Sequence, residues 1–357
     1  MLNLKTSLLR HGSVRAGRLA ALAAAFSLLG ACGQGASEPA LPEASVGEDV
    51  AAVVSIDAEA ISPANLRASA MALLNAVPDE SAQQRQMAEQ QFDQSLEQYT
   101  EPYNDMFGEG VRAIRIAIAP LDTGRTAGML LLRTEGDVDL DALRAKLQAF
   151  GEQAGQGGMP DDATLEKHDD TWAYFQSPEG DTRSPADGTA EATQAFENAM
   201  AQVPGGVKLA LRMTNVVEEQ AQRMQGAPGP MAMFSAPLQD LDFAVIGVTT
   251  GGAPSATAQM QFNSADSAKT FLEAWNGMMS MAKASVSAQM QNAPEPPSSQ
   301  TLDALFTALE MQQDSQTLSL TLDTPFIENV AKVAPLAAPM LMGGMGGGGM
   351  GGGGMTP

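Results

Sequence analysis

Hydrophobic and polar positions alternate most clearly at residues 111–119 (VRAIRIAIA). Ile114, Ile116 and Ile118 fall on one side, and Val111, Ala113, Arg115 and Ala117 on the other. A period of two predicts a strand. A turn over 120–126 leads to a second strand at 128–133 (GMLLLR). Asp137, Asp139 and Asp141 then open a helix to Phe150, with acids where the helix dipole favours them. The same succession returns about 130 residues later. Residues 241–249 (LDFAVIGVT) and 255–262 (SATAQMQF) read as strands about a Gly-rich turn. Ser264, Ala265 and Asp266 cap a helix that runs past Trp275 to about Met281.

The correspondence extends both ways. A strand at 52–57 and a helix at 62–77 match a strand at 207–213 and a helix at 215–224. Strands at 163–167 and 171–177, around a turn at His168, match strands at 305–311 and 317–323 around 312–316. Helices at 189–203 and 325–334 close the two stretches. The expected fold class is α+β: a tandem duplication of a β-α-β-β-α-β-β-α unit, with antiparallel sheets and helices packed on one face. The bare face of each sheet is expected against its sister, and a ligand groove between the two sheets.

The expected layout is a first unit over 50–188 and a second over 189–337, helix 189–203 fitting either. The first unit carries a helical insertion at about 79–102, whose Met87, Phe92, Leu96 and Tyr99 make one narrow apolar stripe. Polar Pro/Gly segments at 177–188 and 292–299 interrupt the pattern.

The start of the chain has a different logic. Lys5, Arg10, Arg15 and Arg18 precede an apolar run at 19–29 (LAALAAAFSLL), and no acid occurs before Glu38. Spanning a bilayer takes about 20 apolar residues, so this run reads as a secretory signal. Its exit, Leu29-Gly30-Ala31-Cys32, resembles the lipobox of bacterial lipoprotein precursors. The resemblance implies cleavage after residue 31 and fatty acylation of Cys32, hence attachment to a membrane. Gly33 stands where lipoproteins retained in the inner membrane often carry Asp. By that family rule, a Gram-negative host would hold the protein in its outer membrane, facing the periplasm. Residues 32–49, rich in Gly, Ser, Pro and Glu, are expected to form a flexible tether.

Composition narrows the chemistry. The 357 residues hold 20 Lys and Arg against 42 Asp and Glu, a net charge of −22. Removing residues 1–31 takes away four positive charges and no negative one, which leaves −26. Such a surface suits solubility and argues against nucleic acid as a partner. One Cys permits no internal disulfide, and two His leave little for a His metal site or a Ser-His-Asp triad.

The remaining candidates read as structure. His168, with Glu166, Asp169 and Asp170 nearby, sits at an expected hairpin tip. The 137–141 acids have the opening rhythm of an EF-hand, but Ala142 and Gln148 stand where that loop needs Gly and Glu. Ser280 and Lys283 have Ser-x-x-Lys spacing without the accompanying motifs. Trp172, Tyr174, Phe271 and Trp275 are expected core anchors.

The tail, 338–357, sets Met340, Met342, Met345, Met350 and Met355 among glycines. Low-complexity disorder is the expectation; collection of Cu(I) by the thioethers is the alternative. The expected role is therefore a lipid-anchored, non-enzymatic envelope lipoprotein that binds or scaffolds at the periplasmic face. It needs no cofactor, and its partner is an envelope protein or an apolar ligand. A carboxylate-based hydrolase is the remaining alternative.

Overall fold

In a computed structural model, the structure describes residues 41–42, 45–76, 82–108, 110–120, 126–153, 164–169, 171–176, 188–213, 233–290 and 299–330. The signal peptide, Cys32, the helix expected at 215–224, Asp170, most of the two Pro/Gly segments and the Gly/Met tail lie outside them.

In chain order the first half comprises β1 (Ala52–Asp57), α1 (Pro63–Ala76), α2 (Ala82–Phe107), β2 (Val111–Pro120), β3 (Thr126–Thr134), α3 (Leu140–Gln153), β4 (Thr164–Lys167) and β5 (Trp172–Gln176). The connecting helix α4 (Ala190–Ala201) leads to β6 (Val207–Arg212), α5 (Ser235–Leu238), β7 (Leu241–Thr249) and β8 (Ser255–Phe262). The chain continues through α6 (Ala265–Met290), α7 (Ser299–Thr307), β9 (Gln312–Asp314) and β10 (Thr317–Leu322). Residues 324–330 are helical.

Local chemistry explains the boundaries. Pro63 starts α1, where its missing N–H costs nothing, and the Ser62 hydroxyl accepts from the Asn65 N–H at 3.3 Å. Asp139 Oδ1 accepts the N–H groups of Asp141 and Ala142, both at 3.0 Å, and Asp141 stands in the first turn, so these two acids serve a helix start. Thr189 caps α4 through Ala192 N–H, and Ser264 caps α6 through Ser267 N–H.

The fold is α+β around an antiparallel sheet. Its ten strands run in the order β4-β5-β3-β2-β1-β6-β7-β8-β10-β9. The expected pair of stacked sheets is therefore corrected: the two halves join edge to edge where β1 pairs with β6, Val54 opposite Leu209. No groove between two sheets can exist in this arrangement. Edge pairing satisfies the backbone of two otherwise open strands, which face-to-face stacking leaves exposed.

The helices are not confined to one face either. On the front face, α1, α2 and α3 contribute Leu66, Phe107, Leu143 and Leu147 to a core over Ile114 and Leu132. Further along that face, Phe234 just before α5 and Ala268 and Phe271 of α6 pack onto Phe262 and Leu318. Helix α7 packs on α6 through Leu302 and Val286. On the back face, α4 places Phe196, Ala199 and Met200 against Val53, Met129, Leu131, Trp172 and Phe243.

Two further expectations change. The stretch expected as a strand at 305–311 is helical through Thr307, and β9 forms inside the expected loop, closed at Ser315 with φ 55°. Leu302, Leu305, Phe306 and Leu309 follow helical spacing, which outweighs the local strand signal. Part of the expected tether is also packed. Leu41, Ser45, Val46 and Val50 are buried on the back face. Val46 N–H donates to Thr193 Oγ1 at 2.9 Å, Thr189 N–H to the Val46 carbonyl at 3.0 Å, and Leu41 N–H to the Glu197 carboxylate.

Candidate functional site

Register turns strand alternation into rows across the sheet. On the front face one row runs Ile116, Val54, Leu209, Ile246, Ala258, Leu320 from β2 to β10. The adjacent row runs Ile118, Ala52, Leu211, Ala244, Met260, Leu318. Every one of these side chains is apolar, so the front face is an uncharged floor across the seam between the halves.

Helices cover that floor unevenly. At its ends, Ile114 and Leu132 are buried under one helical group, and Phe262 and Leu318 under the other. Between them Val54 at the seam is still buried, whereas Leu209, Leu211, Ala244, Ala258 and Leu320 on β6, β7, β8 and β10 are only half-buried, and Ile246 is 43% exposed. Yet β7 is an interior strand whose back face, Phe243 and Val245, is 3% exposed. Full burial of an isoleucine is worth roughly 1.5–3 kcal/mol, so this exposure forgoes about 1 kcal/mol. A large apolar side chain open in mid-sheet is a candidate binding surface. With no titratable group in either row, the floor can hold apolar matter but cannot transfer a proton.

A second concavity of about 250 Å³ lies between α2 and α3. Gln98, Glu101, Pro102, Asp105, Met106 and Lys146 are among its lining residues. Glu101 and Asp105 are four residues apart on one helix, so both stand on one wall, and Lys146 lies 4.0 Å from Asp105. Acid–base cleavage between two carboxylates needs them on opposite sides of a scissile bond.

Behind the floor is a charge group that sequence reasoning missed. Arg115, 1% exposed, places Nη2 3.4 Å from Asp57 Oδ1 and donates from Nη1 to the Ile114 carbonyl at 3.1 Å. Its guanidinium lies 6.0 Å from the Trp172 ring centroid. In the same register row as Arg115 and Ser55, Lys208 Nζ donates to the Met200 carbonyl at 3.0 Å. That carbonyl belongs to the last turn of α4, where the dipole favours a cation. The only sequence signal was Arg115 itself, a charge on the small-residue side of an alternating strand. Lys208 is shut away under α4 and Arg115 is buried between Asp57 and Trp172, which suits a structural role at the seam.

The sequence candidates fall apart in space. His168 is exposed at the β4–β5 turn. Asp169 Oδ1 there accepts from Thr171 N–H at 2.7 Å, Thr171 Oγ1 at 2.9 Å and Trp172 N–H at 2.8 Å. Burial pushes the Asp169 carboxyl up, but these hydrogen bonds, with His168 adding a minor pull, outweigh it and hold the group below its ordinary value. Ser280 donates back to the Asn276 carbonyl, while Lys283 lies 2.7 Å from Asp303 on α7. Serine and lysine are thus each engaged elsewhere. Trp172 and Phe271 are buried core residues, whereas half-buried Tyr174 and Trp275 bond Glu166 and the Leu309 carbonyl. Cys32 and the methionines at 340, 342, 345, 350 and 355 lie outside the described residues.

Among the described residues, no three His, Cys, Asp or Glu side chains are grouped to hold a metal, and no helix is long and apolar enough to cross a membrane. The chain matches no protein-family model and no curated protein. Among solved structures it is similar to crystal form III of TP0453, with 8% identity, 82% of this chain and 98% of that chain covered, and a TM-score of 0.31. Crystal form I of TP0453 gives 9% identity, 84% and 98% coverage, and a TM-score of 0.30. Likeness at that level carries no argument about function.

Proposed function

We propose that the protein is a lipid-anchored, non-enzymatic lipoprotein of the cell envelope that receives an apolar molecule, or an apolar segment of an envelope protein, on the front face of its sheet. The observation that carries the binding role is Ile246, exposed in the middle of a continuous apolar floor. The anchor is supported by the lipobox-like Leu29-Gly30-Ala31-Cys32 after a short apolar run. Acyl chains on Cys32 would hold the protein at the membrane, and a charge of −26 would keep the globule off anionic lipid. In a Gram-negative host the expected place is the outer membrane, facing the periplasm.

We further read the two halves as copies of one ancestral unit. The spatial order outward from the β1–β6 seam supports this: β2, β3, β5, β4 on one side and β7, β8, β10, β9 on the other. Joining two such copies edge to edge produces a floor wider than either set of described helices covers, and the strip around Ile246, which they cover least, is the binding surface.

Native mass spectrometry of the protein extracted from its host envelope tests this reading. The wild-type chain is expected to carry an apolar ligand or a co-purifying partner that Ile246→Glu loses. An Ile246→Glu chain carrying the same cargo would refute it.

A further inference from the structure

Cys32 precedes Leu41, the first of the described residues, by nine residues. Leu41, Val46 and Val50 are buried on the back face, and their segment is tied to α4 through Thr189, Thr193 and Glu197. At its far end the Glu48 carbonyl accepts from Arg212 Nη1 at 3.0 Å. The Arg212 guanidinium in turn sits 5.0 Å from the Phe196 ring and 5.4 Å from Phe243. The segment is therefore a strap clamped across the back of the molecule.

We infer that the α4 face is the membrane-proximal face of the anchored protein, so that the apolar floor around Ile246 opens away from the anchoring bilayer. The inference rests on the proposed acylation of Cys32. Nine residues reach at most about 30 Å fully extended. A globule of this size is about 40–50 Å across. With its leash fixed to the back, the molecule can bring its front to the lipid only if that leash runs round the edge of the sheet. Without the strap the leash would extend to Val50, twice as many residues from Cys32, and orientation would be lost. The consequence is that an occupant of the floor arrives from the aqueous side and not by lateral exchange with the anchoring leaflet.

The chain has one Cys, so an introduced Cys is the sole free thiol once Cys32 is acylated. Gln194→Cys on α4 reports the back, and Gln94→Cys on α2 and Glu273→Cys on α6 report the front; all three positions are exposed. Each protein, purified from its host and labelled with a donor dye, is placed on phosphatidylcholine vesicles holding a trace of acceptor-labelled lipid. Energy transfer from position 194 is expected to exceed that from both front sites at least twofold. Val46→Asp, which puts a charge at a fully buried position, is expected to shrink the difference; Thr193→Val, a milder change, is expected to shrink it less.

Equal transfer from front and back on a chain shown by mass to be acylated overturns the inference alone. A chain that carries no lipid overturns the anchor reading and the inference with it.

Discussion

Lys208 holds its ammonium against the Met200 carbonyl with 6% of the residue exposed, one strand from Ser55 and two from Arg115. Replacing it with Ala removes a charged hydrogen bond and opens a cavity beneath α4. Lys208→Ala is expected to cost about 2–4 kcal/mol by urea unfolding, from the lost charged hydrogen bond and the void. Lys208→Met keeps most of the volume and removes the charge, so it is expected to cost far less. Equal losses for the two variants would mean that volume is irrelevant there.

Asp169 gives a pH-dependent counterpart. Its folded carboxyl is held below the ordinary value, burial opposing and the hydrogen bonds from Thr171 and Trp172 prevailing. A depressed folded pKa contributes stability above the unfolded value of about 3.9, and that share is lost as pH falls through the folded value. The stability difference between wild type and Asp169→Asn is thus expected to be full at pH 6 and to shrink below about pH 4. Paired unfolding curves at pH 6 and pH 3 check it, and a difference growing in acid would reverse the assignment.

Among the elements, α2 has a built-in defect. Pro102 lies inside this 26-residue helix and offers no N–H to the Gln98 carbonyl. Pro102→Ala is expected to raise stability by about 1–3 kcal/mol through the restored bond, read as a higher melting temperature. A lower one would show that the proline's contacts beside Met106 matter more than the backbone.

Strands β1, β7 and β8 lie where alternation puts them, because a two-residue period needs only neighbouring positions. The 305–311 segment misled because Leu305, Phe306 and Leu309 satisfy both short apolar strand and helix turn, and only Leu302 beyond them decides for helix. The packed strap was illegible: Pro, Glu, Gly and Asp dominate 42–49, and its three apolar anchors have no period. As for the site, apolar alternation on β2 and β7 was visible, but the exposure of Ile246 was not. It depends on which strands meet at the seam, and β1 meets β6 across 150 residues of chain with no local signal.

At the scale of the whole molecule, one sheet has a back closed by α4 and the strap and a front that, among the described residues, is least covered around Ile246, between two helical groups. A net charge of −22 works against self-association through that opening, because a second copy brings the same charge. A neutral apolar occupant meets no such opposition. The most direct test is a titration of the protein with an uncharged, environment-sensitive apolar dye such as N-phenyl-1-naphthylamine, in wild-type form and as Ile246→Glu. Saturable binding to the wild type, weakened at least tenfold by the substitution while the circular dichroism spectrum is unchanged, is the predicted result. Superimposable titrations of two equally folded proteins would contradict the account.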